Sequence, residues 1–224
     1  MNVLDQGGIK IIEVWGKDES IIEAARMSTG KGFQGWETDA KLLEFLWKNK
    51  HHTPFEMAGA VIEVKAPLFV FREWHRHRTQ SYNEMSARYI PLPDENYAPL
   101  PAEIVRRSEL GAGTKNRQAS GTRVTTQAEA EEWVQALHGL YLAAEELYQQ
   151  GIELGVPKEL ARLPVPVARY SRMRASANLR NWLQFLTLRA ASNAQWEIQQ
   201  YAYALKELLS GYFPRTIQLF EDFK

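Results

Sequence analysis

The chain has 224 residues, with 27 Lys and Arg balanced by 27 Asp and Glu, 45% hydrophobic residues and no Cys. That composition belongs to an ordinary globular protein able to bury a sizeable core, and it excludes bulk disorder. The absence of thiols excludes a disulfide framework, zinc–thiolate and iron–sulfur centres, and any thiolate nucleophile.

The opening MNVLDQGG has no basic region followed by an apolar stretch, so no signal peptide is expected. No segment approaches the roughly 18 apolar residues that cross a bilayer, and a soluble, cytoplasmic protein is the expectation. Ile9–Trp15 is rich in Ile and Val and reads as a strand. Asp18 is placed to cap a helix running to about Met27. A second helix fits Thr38–Lys50, with Leu42, Phe45 and Leu46 as its apolar stripe. His51–Met57 contains Pro54 and reads as a loop. Ala58–Lys65 alternates as a strand, with Ile62 and Val64 on one side and Glu63 and Lys65 on the other.

Pro67 suits the first turn of a helix to about Arg78. Arg76 and Arg78 then close that helix and complement its dipole, and Ser81, Asn83, Ser86 and Arg88 occupy a turn-prone stretch. Ile90–Thr126, with Pro91, Pro93, Pro99, Pro101 and three Gly, reads as a long irregular excursion, partly mobile. Ala128–Gly151 is the clearest helix, with Trp133, Leu137, Leu140, Ala144 and Leu147 as its predicted core stripe. Val165–Ser176 is a candidate strand, Leu179–Leu188 and Ala194–Leu209 are helices, and Pro214 starts a short terminal helix. No internal repeat is present. Strands and helices alternate without the βαβ rhythm of a doubly wound sheet. The expected fold class is α+β: a small antiparallel sheet covered by several long helices, in a single domain over 1–224.

Zero net charge conceals two basic segments. Arg72–Arg88 holds four Arg against two Glu, and Lys158–Arg189 holds one Lys and six Arg against one Glu. Confined basic segments in an otherwise acidic chain suit a local anionic ligand. A nucleic-acid footprint more often makes the whole domain basic, although an Arg-rich nucleotide- or RNA-binding module stays open at this point. Gly111-Ala112-Gly113 has Asn116 where a dinucleotide fingerprint needs its third Gly, and no phosphate-loop pattern occurs. His75 and His77 are two apart on an expected helix and point to different faces, so no metal site is expected. The densest polar run, Arg76–Tyr89, mixes guanidinium, imidazole, amide, hydroxyl and carboxylate groups. Such a mixture suits a ligand that combines phosphates, a sugar and a heterocycle.

That run resembles the signature of the flavin-dependent thymidylate synthases, R-H-R-x-x-S-x-N-E-x-S-x-R-Y. Its fixed positions are filled by Arg76, His77, Arg78, Ser81, Asn83, Glu84, Ser86, Arg88 and Tyr89. His51-x-Thr53-Pro54-Phe55-Glu56, Gly155-Val156-Pro157 with Arg162, Asn178-x-Arg180, Leu188-Arg189-Ala190 and Ala194–Glu197 are similar too. The resemblance implies FAD-dependent methylation of dUMP to dTMP, with carbon from methylenetetrahydrofolate and reducing equivalents from NADPH, in a homotetramer with shared sites. It implies FAD contacts at Thr53, Arg76, His77, Arg78, Glu84, Asn178, Arg180 and Gln184. For dUMP it implies Glu73, Trp74, His75, Arg76, Glu84, Met85, Ser86, Ala87, Arg88, Arg162 and Arg189, with Arg189 catalytic at the pyrimidine. An inactive relative that only binds FAD is a further alternative. Three positions depart from the family pattern: Glu73 where Gln is common, Gln184 for a shorter amide, and Asn193 where many members have His. The absence of Cys agrees with the implied chemistry, since it closes the route in which a thiolate adds to uracil C6.

Overall fold

The computed structural model describes residues 1–111 and 123–223. In chain order the elements are β1 (Asn2–Val3), β2 (Gly7–Trp15), α1 (Asp18–Arg26), α2 (Trp36–Lys48), a 3-10 turn (Thr53–Met57), β3 (Gly59–Pro67), α3 (Leu68–Trp74) and β4 (Ser81–Glu84). They continue with α4 (Pro101–Gly111), α5 (Gln127–Glu153), α6 (Lys158–Ala161), β5 (Tyr170–Asn178), α7 (Leu179–Arg189), α8 (Trp196–Ser210) and α9 (Pro214–Asp222). The sheet order is β1-β2-β3-β5-β4. The pairs β1–β2, β2–β3 and β4–β5 are antiparallel. The chain divides into two compact units: Met1–Ala66 with Val70–Glu84 and Arg172–Lys224, and Pro67–Phe69 with Met85–Ser171. The architecture is α+β, as the element pattern predicts.

In the first unit the inward face of the sheet is built from small and branched residues. Ala60, Ile62 and Val64 of β3 and Met173, Ala175 and Ala177 of β5 are all buried. Small Ala side chains leave room for the large residues of the covering helices, among them Trp74, Trp182, Phe185 and Tyr201. Each polar tip in that layer has a partner: Trp182 Nε1 donates to Ala60 O at 3.0 Å, and Tyr201 Oη to Lys65 O at 2.7 Å. Gly59 is required where this packing is tightest. A Cβ there would stand 2.2 Å from the Trp15 ring and 2.5 Å from Ala177 O.

The second unit is organised by α5. Its capping box joins Thr126 and Glu129, and Ala130, Tyr141 and Tyr148 face inward. Tyr141 Oη donates to Tyr97 O at 2.8 Å, and Leu92 N donates to Tyr148 Oη at 3.3 Å. Arg169, fully buried, completes the attachment of this extended segment. It donates to Asn96 Oδ1 (3.1 Å), Pro93 O (2.9 Å) and Glu145 Oε2 (2.6 Å).

Several local expectations are corrected. Asp18 does not cap its own helix, whose N-cap is Lys17. Its carboxylate instead accepts from Arg215 N (2.8 Å) and from Thr216 N (3.2 Å) and Oγ1 (2.6 Å), capping α9 from the far end of the chain. In α2 the buried side is Asp39, Leu43 and Leu46, with Phe45 turned outward. Asp39 takes this place because Arg26 pairs with it and Gln34 N donates to it, tying α2 to α1. Pro67 ends β3 rather than starting a helix, and α3 stops at Trp74, so Arg76 and Arg78 lie in the following turn. Of the segment read as turn-prone, Ser81–Glu84 pairs as β4 with β5, while Ser86 and Arg88 do lie in a turn. The 90–126 excursion contains α4, so it is not irregular throughout; its residues 112–122, with all of the Gly111–Asn116 pattern but Gly111, lie outside the described residues. The α5 stripe is also reversed, with Trp133, Leu140 and Leu147 exposed by 53%, 61% and 56%.

Candidate active site

The turn between α3 and β4 is stapled from within the first unit. Trp74 packs on Phe185 at 4.5 Å between ring centroids, and its Nε1 donates to Gln80 Oε1 at 3.0 Å. Tyr82 Oη donates to Trp74 O (3.1 Å) and His77 O (2.6 Å), bridging the turn across its mouth. Burial pushes the Tyr82 phenol up to about 12, so it remains a protonated donor. The result is a rigid turn with alternating exposure: His77 and Gln80 point inward, while Arg76 and Arg78 point to solvent.

Arg189, in the last turn of α7, closes onto this turn. Its Nε donates to His77 Nε2 at 2.8 Å, Nη1 to Glu73 Oε2 at 2.8 Å, and Nη2 to Glu73 O at 3.1 Å. Burial, then the neighbouring Arg189 cation, hold the His77 pKa down at about 4. The imidazole is therefore neutral and accepts at Nε2, which places its proton on Nδ1. The His77 ring leans on Phe185 at 4.8 Å. Of the other positions implied for the nucleotide, Trp74 is wholly buried, backbone included. His75 stands against Met173 Sδ at 3.1 Å, and Glu84 ends β4.

A hollow of about 570 Å³ lies among α1, the end of α2 and the 3-10 turn. Lys50, His52, Thr53, Glu56 and Arg180 border it. Lys50 reaches this edge because α2 ends with Lys50 at φ 56° and His51 N bonded back to Leu46 O, a left-handed helix stop usually given to Gly. A smaller hollow of about 90 Å³ shares His52 and Arg180 and adds Gln184. Arg180 Nη1 donates to Glu56 Oε1 at 2.6 Å. Burial, then Arg180 and Lys50, lower the His52 pKa, so this imidazole too is neutral. Asn178 caps α7, its Oδ1 accepting from Asn181 N at 3.0 Å. Thr53 and Arg180 thus border one hollow, and Arg180 and Gln184 the other. Lys50 and His52, which the sequence did not single out, border the larger hollow. The hollow's volume, its two cations and its hydroxyl fit an anionic nucleotide cofactor.

In the second unit, Arg88, Ser86 and Ala87 form a turn with Tyr89 N bonded to Ser86 O at 3.0 Å. The start of α6 holds it: Lys158 Nζ donates to Tyr89 O at 2.7 Å, and Arg88 Nε meets Glu159 at 3.2 Å. Arg162 follows as the exposed C-cap of the same helix. Met85, which begins this segment, is half-buried. Arg169, one of the six Arg of the second basic segment, holds the 93–96 stretch to α5.

A family model described as thymidylate synthase complementing protein matches residues 10–215. A flavin-dependent thymidylate synthase of Thermosipho melanesiensis is 38% identical over 221 residues, 99% of this chain and 93% of that protein. One from Thermus thermophilus is 38% identical over 98% of this chain and 77% of its own length. Among solved structures, a UMP/dUMP methylase, PolB, from Streptomyces cacaoi bound with 5-Br dUMP superposes with a TM-score of 0.86 at 27% identity. That match covers 100% of this chain and 98% of PolB.

Proposed function

The chain belongs to the flavin-dependent thymidylate synthase family, and from that premise we propose how its residues divide the work. Its reaction is FAD-dependent methylation of dUMP to dTMP. We assign the carbon to methylenetetrahydrofolate and the reducing equivalents to NADPH, both free co-substrates in the cytoplasm. FAD, when bound, supplies the redox chemistry that converts the transferred carbon to a methyl group. Thr53, Arg180 and Gln184 would hold it, with Arg76, Arg78, His77, Glu84 and Asn178 as the remaining contacts.

Arg189 is the catalytic residue in this reading. Uracil C5 must become electron-rich to accept carbon, and there is no Cys to add at C6. A guanidinium set against the polar edge of the ring stabilises the negative charge that develops there. The observation that supports this is the mounting of Arg189. A neutral imidazole and a backbone carbonyl orient it, and its one anionic partner, the Glu73 carboxylate, meets only the Nη1 side of the fork. Ser86, Arg88 and Arg162 supply a hydroxyl and two exposed cations for the nucleotide phosphate.

The deciding measurement is dTMP formation by FAD-loaded Arg189→Ala and Arg189→Lys at saturating dUMP. Both should keep FAD and the fold. Ala should lose about 10²–10³ in turnover, and Lys should not restore it, because an ammonium cannot reproduce a planar fork. Near-parental rates in both would falsify the assignment.

We also propose one catalytic domain per chain and a homotetramer. The second unit takes its residues from two separate stretches of the sequence, so neither unit is a free-standing segment. Trp133, Leu140 and Leu147 recur every seven residues on the exposed side of α5, the spacing of a helix-packing seam. Light scattering should report four chains at concentrations where the protein is active; a monomer there would refute the assembly.

A further inference from the structure

Arg189 is held entirely by α3 and the turn after it, and its three partners are not equivalent. Two are immobile. His77 is buried against Phe185, and Glu73 O belongs to the backbone of α3. The third, the Glu73 carboxylate, sits on a side chain that is 41% exposed, while Arg189 is 17% exposed. Rotating the Glu73 side chain toward solvent breaks one hydrogen bond of the three and leaves the guanidinium mounted. The freed Nη1 edge then presents N–H donors in a plane already oriented by His77 and Glu73 O. Those donors match the carbonyl oxygens of a pyrimidine ring.

We propose that Glu73 is an internal stand-in for substrate: its carboxylate occupies the Nη1 edge of Arg189 until the pyrimidine of dUMP displaces it, so Glu73 sets nucleotide affinity. This rests on Arg189 meeting the pyrimidine. The exchange has two physical consequences. Binding must compete with an ion pair, so the measured affinity is lower than the bare fork would give, by the fraction of molecules in which the fork is free. In return, the unliganded guanidinium stays paired and aligned instead of standing exposed with unsatisfied donors beside a buried ring. A ligand without acceptors at the fork gains nothing from displacing Glu73 and is disfavoured. Glu73 is a positioning residue in this scheme. The catalytic group remains Arg189.

The test is calorimetric titration of dUMP into the FAD-loaded parent, Glu73→Gln and Glu73→Ala proteins, with KM and kcat measured alongside. Gln keeps the shape and removes the charge; Ala removes the competing group altogether. The dissociation constant for dUMP should fall by about three- to thirtyfold in both, the range spanned by half-exposed and partly buried charged hydrogen bonds. KM should fall with it while kcat moves less, since the His77 and backbone contacts persist at saturation. Unchanged or weaker dUMP binding in both folded variants overturns the proposal and shows the carboxylate to be a bystander or a direct contact. A parallel Arg189→Ala titration separates the two levels. If that variant binds dUMP and forms dTMP as well as the parent does, the pyrimidine reading itself fails, and this inference with it.

Discussion

Two arginines that are adjacent in type but not in role frame this molecule. Arg169 and Arg189 each place a guanidinium among carbonyl and carboxylate acceptors and each joins a helix to an irregular segment. Arg169 is fully buried and reaches an Asn side chain, a backbone carbonyl and two carboxylates, Glu145 at 2.6 Å and the more exposed Asp94 at 3.4 Å. Arg189 has one partner on an exposed side chain, and its imidazole neighbour is kept neutral. Each arginine has a carboxylate partner on a half-exposed side chain, Asp94 and Glu73, so the difference lies in the guanidinium itself: Arg169 is closed off from solvent and Arg189 keeps 17% of its side chain exposed.

The largest effect expected from this comparison is at Arg169. Arg169→Met fills much of the space but leaves Glu145 a carboxylate without its cation and strands the acceptors on Asn96 and Pro93. Breaking a buried pair from one side costs about 3–5 kcal/mol. Urea denaturation should show a loss of that order, and a loss below about 1 kcal/mol would place Arg169 with the exchangeable arginines.

The His77 mounting of Arg189 should be visible as a pH dependence. The folded-state pKa of about 4 lies below the ordinary 6.5, so between those values the unfolded chain binds a proton that the folded chain does not. Its contribution is fully present above pH 6.5 and is lost as pH falls toward 4, at most about 3 kcal/mol. Stability curves of the parent and His77→Asn should therefore converge in that window and run parallel above it. Parallel curves throughout would mean that the imidazole carries no such load.

Arg78 supplies the exposed extreme. Arg78→Ala should alter stability by no more than about 0.5 kcal/mol, as at other surface positions. FAD affinity should drop about tenfold for each charge-assisted bond lost. Equal FAD affinity, read from flavin retention on dialysis, would remove Arg78 from the cofactor contacts.

Much of the fold is written in local pattern. Ile62 and Val64 alternate against Glu63 and Lys65 on β3 and face the core as expected, because a two-residue period admits only two faces. Helix α5 shows where periodicity stops helping. It carries two apolar lines, Tyr141–Tyr148 and Trp133–Leu140–Leu147, and a hydrophobic count favours the one that the chain leaves outside. Tyr was the better guide, since its hydroxyls find the Leu92 and Tyr97 backbone. The candidate site was legible through its nine-residue signature and the Asn178-x-Arg180 pair. The hollow edge at Lys50 and His52 was not, because it depends on a left-handed helix stop at a residue that seldom adopts one.

The sequence by itself determined the family signature, the exclusion of thiol chemistry and the longer strands and helices, among them β2, β3, α5, α7 and α8. Each of these depends on residue identity at short spacing. Tertiary structure decided which groups became partners across long distances in the chain. Asp18 could have capped α1, yet its carboxylate serves the start of α9, where two backbone N–H groups and a hydroxyl converge. Arg189 reads locally as a cation at a helix end, until α7 brings it to Glu73 and His77, more than a hundred residues earlier. In both cases the local alternative offers water and a weak dipole term. The folded chain offers several directed hydrogen bonds in a partly dry setting, where they are stronger.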